Sequence, residues 1–328
     1  MCVLRKVPEF FVAVVLALLF TAALIYLTIE IPRVIHEYLL KVFPDYWWWP
    51  PPENIESLRH FGYVLFVATL ILMFAGFVAE RGRLTALGSI ALYLPTFGYF
   101  AYTMFSLAGI GILRVLWTPL FDLSPYVLRL GDIVYLSSFL STLPLAPIFW
   151  ITGVSGTDMY IPLSFVIMAL GLVVLLLGTL TWLYGRFEGF YIIDFWIYKY
   201  SRHPQYLGFL LWSYGLLLLA TFVGAPMGGY VPPPSLPWLI LALTMVGVAL
   251  HEENTMVKEH GEKYIKYCNN TPFMLPLPKL LVTLITAPAR LLLKKNWPEN
   301  GKEIVYVIVV YGIMLIVLSL PSIFLFNF

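Results

Sequence analysis

The sequence predicts an all-α, polytopic transmembrane protein, and three observations predict it. The chain of 328 residues is 60% hydrophobic and 12% charged, with mean hydropathy +0.86, whereas a soluble domain carries about 25% charged residues. Apolar runs of bilayer-spanning length, about 20 residues, recur along the whole chain. Those runs are continuous rather than alternating. That selects helices, which satisfy their own backbone groups in lipid. The net charge is only +2, so the charge balance points to no nucleic-acid partner.

About eight spans are expected, at 8–29, 60–79, 84–113, 132–153, 161–184, 206–223, 235–256 and 303–326. The first follows Arg5 and Lys6. It is longer than a signal-peptide core of roughly 7–15 residues and has no small-x-small site before Glu30, so it reads as a transmembrane helix. The third carries Pro95 midway, which allows one kinked helix or a broken pair. Between the first two spans, "FPDYWWWPPPEN" reads as an aromatic interface belt, Trp47 to Trp49, on a stiff extended segment. "VPPPS" at 231–235 reads as a rigid turn. Residues 277–295 are leucine-rich but punctuated by Lys279, Pro288, Arg290, Lys294 and Lys295. They predict a helix lying in the membrane interface. The chain therefore divides into an N-terminal transmembrane region, 1–155, with about four spans and no assigned role, a core at 156–278, and an interfacial helix plus final span at 279–328.

Most of the 20 Lys and Arg fall in loops 30–59, 114–131, 185–205 and 257–302. The positive-inside rule then places those loops in the cytoplasm and both termini outside, with Arg5 and Lys6 arguing the other way.

Metal chemistry finds little support. The histidines are His36, His60, His203, His251 and His260. "HEENT" at 251–255 begins like a zinc-helix motif, but Thr255 stands where the second histidine is needed. Cys2 and Cys268 offer neither a disulfide framework nor ligand spacing. No metal site is expected.

Two polar clusters flank the spans. In "YKYSRHPQYLG", residues 198–208, Pro204 suits the first turn of a helix. Free backbone donors around His203–Tyr206 then sit at a positive helix end, which suits an anionic or carboxylate-bearing ligand. Gly208 permits close approach of a backbone or a ligand. The plainer reading is a basic interfacial anchor with a helix start. In "HEENTMVKEHGEKYIKY", residues 251–267, Glu252 and Glu253 stand side by side near the membrane edge. That is unfavourable unless a cation, donor or cofactor meets one of them. Glu252, Met256 and Glu259 share a helical face, Gly261 relaxes or ends the helix, and Tyr264 and Tyr267 follow. The plainer reading here is a solvated helix end.

Together the clusters resemble the isoprenylcysteine carboxyl methyltransferase and phospholipid methyltransferase superfamily of integral membrane enzymes. "IYKYSRHPQYLG", then "EE" one hairpin later, then "GEKYIKYCNNTPFMLP" match its R-H-P-x-Y-x-G, E-E and G-x-x-Y-x-x-Y elements in order and spacing, from about residue 161 to 278. The resemblance implies a methyltransferase-like helical core and S-adenosyl-L-methionine as cofactor. It implies that His203, Pro204, Gln205, Tyr206 and Gly208 hold that cofactor, with Tyr198 and Phe190, Tyr191, Ile192 and Ile193 lining the pocket. Glu252, beside Glu253, would meet the cofactor's amino group, and Tyr264 and Tyr267 would close the cytoplasmic side. The acceptor would be a lipid or a prenylated or otherwise lipidated molecule entering from the bilayer. Catalytic residues stay unassigned, since methyl transfer needs mainly alignment and exclusion of water.

Three positions depart from the pattern. Val248 stands where the family often has an arginine associated with the acceptor, Asn270 where it often has a basic residue, and Trp196 where it has a turn glycine. Two other classes therefore stay open. A membrane NADPH-dependent reductase of the steroid or sterol type shares a related R-H-x-N-Y-x-G-E signature, but Gln205 and Phe209 replace its asparagine and glutamate. A non-catalytic membrane protein on a degenerate methyltransferase core is the other.

Overall fold

The computed structural model describes residues 3–39, 53–79, 118–145, 147, 151, 153, 156–223 and 235–325. Among the described residues every regular element is helical. The long helices are α1 (Val3–Leu39), α2 (Glu53–Val78), α5 (Gly156–Phe187), α6 (Pro204–Val223), α7 (Ser235–His260) and α10 (Gly301–Leu325). Shorter helices are α3 (Thr118–Phe121), α4 (Leu136–Thr142), α8 (Glu262–Asn270) and α9 (Lys279–Leu293). Five of the long helices are long and apolar enough to cross a membrane, and α6 has a shorter apolar stretch, Pro204–Leu219. The protein is thus a polytopic helical membrane protein. The expected span at 84–113 and the Trp47–Trp49 belt lie outside the described residues.

The expected span at 132–153 is corrected. In its place stand two 3-10 turns, Asp132–Tyr135 and Leu143–Leu145, around the short α4. The reason is local. Ser137, Ser138, Ser141 and Thr142 turn their hydroxyls back onto the carbonyls of Val134, Tyr135, Ser138 and Phe139, in competition with a regular ladder. Pro144 and Pro147 add breaks.

The α5–α6 pair is an antiparallel hairpin at backbone contact. A Cβ on Gly208 would fall on the backbone of Leu175, and one on Gly171 on the backbone of Trp212. Small residues permit this approach where lipid supplies no hydrophobic drive between helices. Met168, Trp212 and Leu219 fill the seam. Buried Ser164 and Thr181 donate to the Tyr160 and Leu177 carbonyls one turn back, so neither of these hydroxyls is stranded. A second core joins α2, α7 and α10 through Met73, Phe77, Leu250 and Ile304, with Val248 against it.

Contacts fix the direction of each helix. Phe10 of α1 meets Tyr184 and Trp196 edge-on, so α1 begins beside the end of α5. The end of α2 packs beside Leu250, near the end of α7. At the far end, Asp132 Oδ1 accepts from Ser235 Oγ at 2.6 Å and Oδ2 from Arg129 Nε at 3.0 Å, while Ile133 N donates to Ser319 Oγ at 3.0 Å. This buried network ties the start of α7 to the end of α10. The start of α1 therefore lies with the 185–205 and 257–302 segments and the end of α10 lies opposite, with Arg59 and Arg129, which corrects the expectations that both termini share one side and that the four basic loops do. Among the described residues, 132–145 hold no helix of membrane-spanning length, so the expected alternation of sides does not hold. The segment expected to lie in the interface is helical, as α9. None of its residues is buried, it runs through Pro288, and the Tyr311 hydroxyl of α10 donates to its Ile285 carbonyl.

Candidate functional site

The α5 helix ends in a glycine turn. Gly189 has φ +78°, and Phe190 N donates back to the Gly185 carbonyl at 2.9 Å, satisfying the end of the helix as a left-handed cap does. The chain then crosses to a 3-10 turn, Trp196–Lys199. Trp196 itself has φ +47°, at the position where the resemblance expects a glycine. Its ring stacks on Tyr184, with centroids 5.1 Å apart and planes at 17°, and meets Phe195 edge-on. Side-chain packing holds a backbone conformation that glycine would adopt freely.

Next come Arg202 and His203, both buried. Arg202 grips Glu253 through Nε at 2.6 Å and Nη2 at 3.1 Å, and its Nη1 donates to the Cys268 and Thr271 carbonyls at 2.7 and 2.6 Å. Its guanidinium also lies over the rings of Phe273 and Trp297. Burial lowers the pKa of Arg202, but the Glu253 carboxylate more than offsets this and raises it overall, so the guanidinium stays charged. His203 Nε2 sits 2.9 Å from the same Glu253 oxygen. Glu253, 1% exposed, is thus fully engaged inside the protein. The bidentate fork is the geometry only arginine supplies.

Glu252 turns the other way. Tyr206 donates to its Oε1 at 2.5 Å, and His203 Nδ1 lies 3.9 Å from its Oε2. The His203 and Tyr206 rings stack at 5.7 Å and 11°. One residue apart on α7, the two acids have separate roles: Glu253 ties the fold and Glu252 faces a cavity.

That cavity has a volume of about 460 Å³, inside the range of roughly 300–1,000 Å³ usual for small-molecule sites. Of the expected site residues, Tyr191, Ile192, Ile193, Tyr198, His203, Gln205, Tyr206, Glu252, Tyr264 and Tyr267 line it. Four do not. Glu253 is held by Arg202, Pro204 is fully buried at the start of α6, Gly208 serves the α5–α6 contact, and Phe190 packs edge-on against Phe195. Trp182, Arg186, Arg202, His251, Thr255 and Met256 also line the cavity. The helical spacing of Trp182 and Arg186, one turn apart at the end of a span, was the readable signal for that wall. Val248 faces the α2–α10 core rather than the cavity.

Two tyrosines close the cover. The Tyr267 hydroxyl donates to the Tyr198 carbonyl at 2.8 Å, and Tyr264 stands 5.8 Å from Tyr267. Gly261, at φ +55°, makes the turn from α7 into α8 that brings them back. Burial, joined by the nearby Glu252 carboxylate, raises the Tyr198 phenol. Burial also raises Tyr264 and Tyr267, with Glu253 and Tyr198 respectively the next contributors. All three therefore stay neutral donors at physiological pH. Burial pushes the Cys268 thiol up to about 11, which leaves it unreactive.

A family described as protein of unknown function (DUF1295) matches residues 189–271. No curated protein and no solved structure matches the chain.

Proposed function

We propose that this protein is a membrane methyltransferase that uses S-adenosyl-L-methionine and acts on a lipid or lipid-modified acceptor at the cytoplasmic face. The observation that carries the reading is convergence. Gln205 and Tyr206 from one motif, and Glu252, Tyr264 and Tyr267 from another about 50–60 residues on, meet around one cavity.

The residues suit the group. Glu252 has one oxygen committed to Tyr206 and can accept an ammonium with the other. The rings of Tyr198, Tyr206, Tyr264 and Tyr267 present π-faces suited to a positively charged sulfur and to an adenine. The cavity volume suits a nucleoside with a short tail, and a dinucleotide would have to extend through the mouth. When bound, the cofactor supplies an electrophilic methyl group on a cationic sulfur. The chain's part is to orient it and exclude water. Tyr206 fixes Glu252, His203 supports Tyr206 by stacking, and the tied α8 segment covers the cytoplasmic side.

The test is ligand binding to purified protein in detergent. Adenosylmethionine binds the wild type, and Glu252→Gln weakens it about 10- to 100-fold, as loss of a charged hydrogen bond worth about 1.5–3 kcal/mol requires. Tyr206→Phe weakens it less. Neither variant changes the unfolding midpoint much, because Glu252 is exposed on one side. Binding of NADPH in place of adenosylmethionine rejects this reading for a reductase. Binding of neither leaves the non-catalytic core.

A further inference from the structure

Arg186 is a charge that the fold does not use. It stands in the last turn of α5 and lines the cavity. Its guanidinium lies 5.6 Å from the Trp182 ring centroid, and it pairs with no carboxylate among the described residues. Glu252, on the α7 wall of the same cavity, forms no ion pair with it. Both charges nonetheless reach one point between the walls. At the Tyr198 hydroxyl, after burial itself, Glu252 pushes the pKa up and Arg186 pulls it down. The cavity thus offers an anion and a cation on separate walls that do not pair with each other, with the Tyr198 hydroxyl in reach of both fields.

We infer that Arg186 receives the carboxylate of an α-amino-acid group whose ammonium end meets Glu252, so that the cavity selects its ligand by the zwitterion as well as by the nucleoside. This rests on the adenosylmethionine reading above and specifies which wall holds which end of the ligand. A guanidinium presents a planar fork that a carboxylate matches with two bonds. Stacking on Trp182 holds that fork in place without engaging its donors.

The experiment is calorimetric titration of the full chain in detergent with adenosylmethionine and with its decarboxylated form, which lacks only the carboxylate. The wild type prefers adenosylmethionine. Arg186→Gln weakens adenosylmethionine about tenfold and leaves the decarboxylated form unchanged. Arg186→Glu reverses the preference. Glu252→Gln weakens both ligands. Arg186 is exposed, so these variants fold, and an unchanged unfolding midpoint verifies that. If Arg186→Gln leaves the ratio of the two affinities as in the wild type, the inference fails while the cofactor reading stands. If the wild type binds neither ligand, both fail.

Discussion

At the scale of single residues, Trp196 and Arg202 show what a sequence conceals. Trp196 could be read only as a departure from an expected glycine. The structure shows that the glycine-like backbone survived the change, with φ +47° held by a stack on Tyr184. The strain costs about 1–3 kcal/mol, and the ring contacts return about 0.5–1.5 kcal/mol each. Trp196→Ala keeps the strain and loses the contacts, whereas Trp196→Gly loses both. The expected order of unfolding midpoints is therefore wild type, then glycine, then alanine, and thermal unfolding in detergent checks it. An alanine variant more stable than the glycine one would remove this account. Arg202 read as an interfacial anchor, because a loop arginine beside lipid normally is one. Its actual partners lie 51, 66 and 69 residues away, beyond any local pattern. Arg202→Met strands the Glu253 carboxylate and costs about 3–5 kcal/mol, whereas Arg202→Met combined with Glu253→Leu recovers part of the loss. Chemical denaturation of the two variants measures the difference.

Helices were legible wherever hydropathy alone decides. Six expected spans reappear as helices, five of them (α1, α2, α5, α7 and α10) long and apolar enough to cross a membrane and α6 with a shorter apolar stretch, because a long uninterrupted apolar run has one outcome in lipid. The segment 132–153 was misread because composition resembles a span there, while serines, threonines and prolines divert the backbone. A helix within 277–295 was legible from its leucine-rich turns, and Pro288 does not break it. Gly208 was noticed for the right reason, close approach, but the neighbour is the α5 backbone rather than a ligand. An added side chain there has no flexible atom to displace. Gly208→Val forces α6 away from α5 and costs about 1–3 kcal/mol or more. It should also abolish adenosylmethionine binding, since Gln205 and Tyr206 ride on the same helix. Binding retained in a folded Gly208→Val protein would mean that the cavity does not depend on that contact.

For the whole molecule, the arrangement of helices makes a topological prediction. The start of α1 lies with the site and the end of α10 lies opposite it. Tags placed before residue 3 and after residue 325 should therefore be digested from opposite faces of sealed vesicles. The N-terminal tag should share its face with a cysteine introduced at Lys258. Digestion of both tags from one face would contradict the contact between Phe10 and Tyr184. The Tyr267–Tyr198 bond and the Arg202 bonds to Cys268 and Thr271 fasten the last turn of α8 at two points to the segment before α6. A cover fastened twice does not swing. The walls are in register before any ligand arrives, so most of the entropy of ordering them is spent at folding. Ligand exchange should then proceed through a standing opening, with small heat and rate penalties for conformational change.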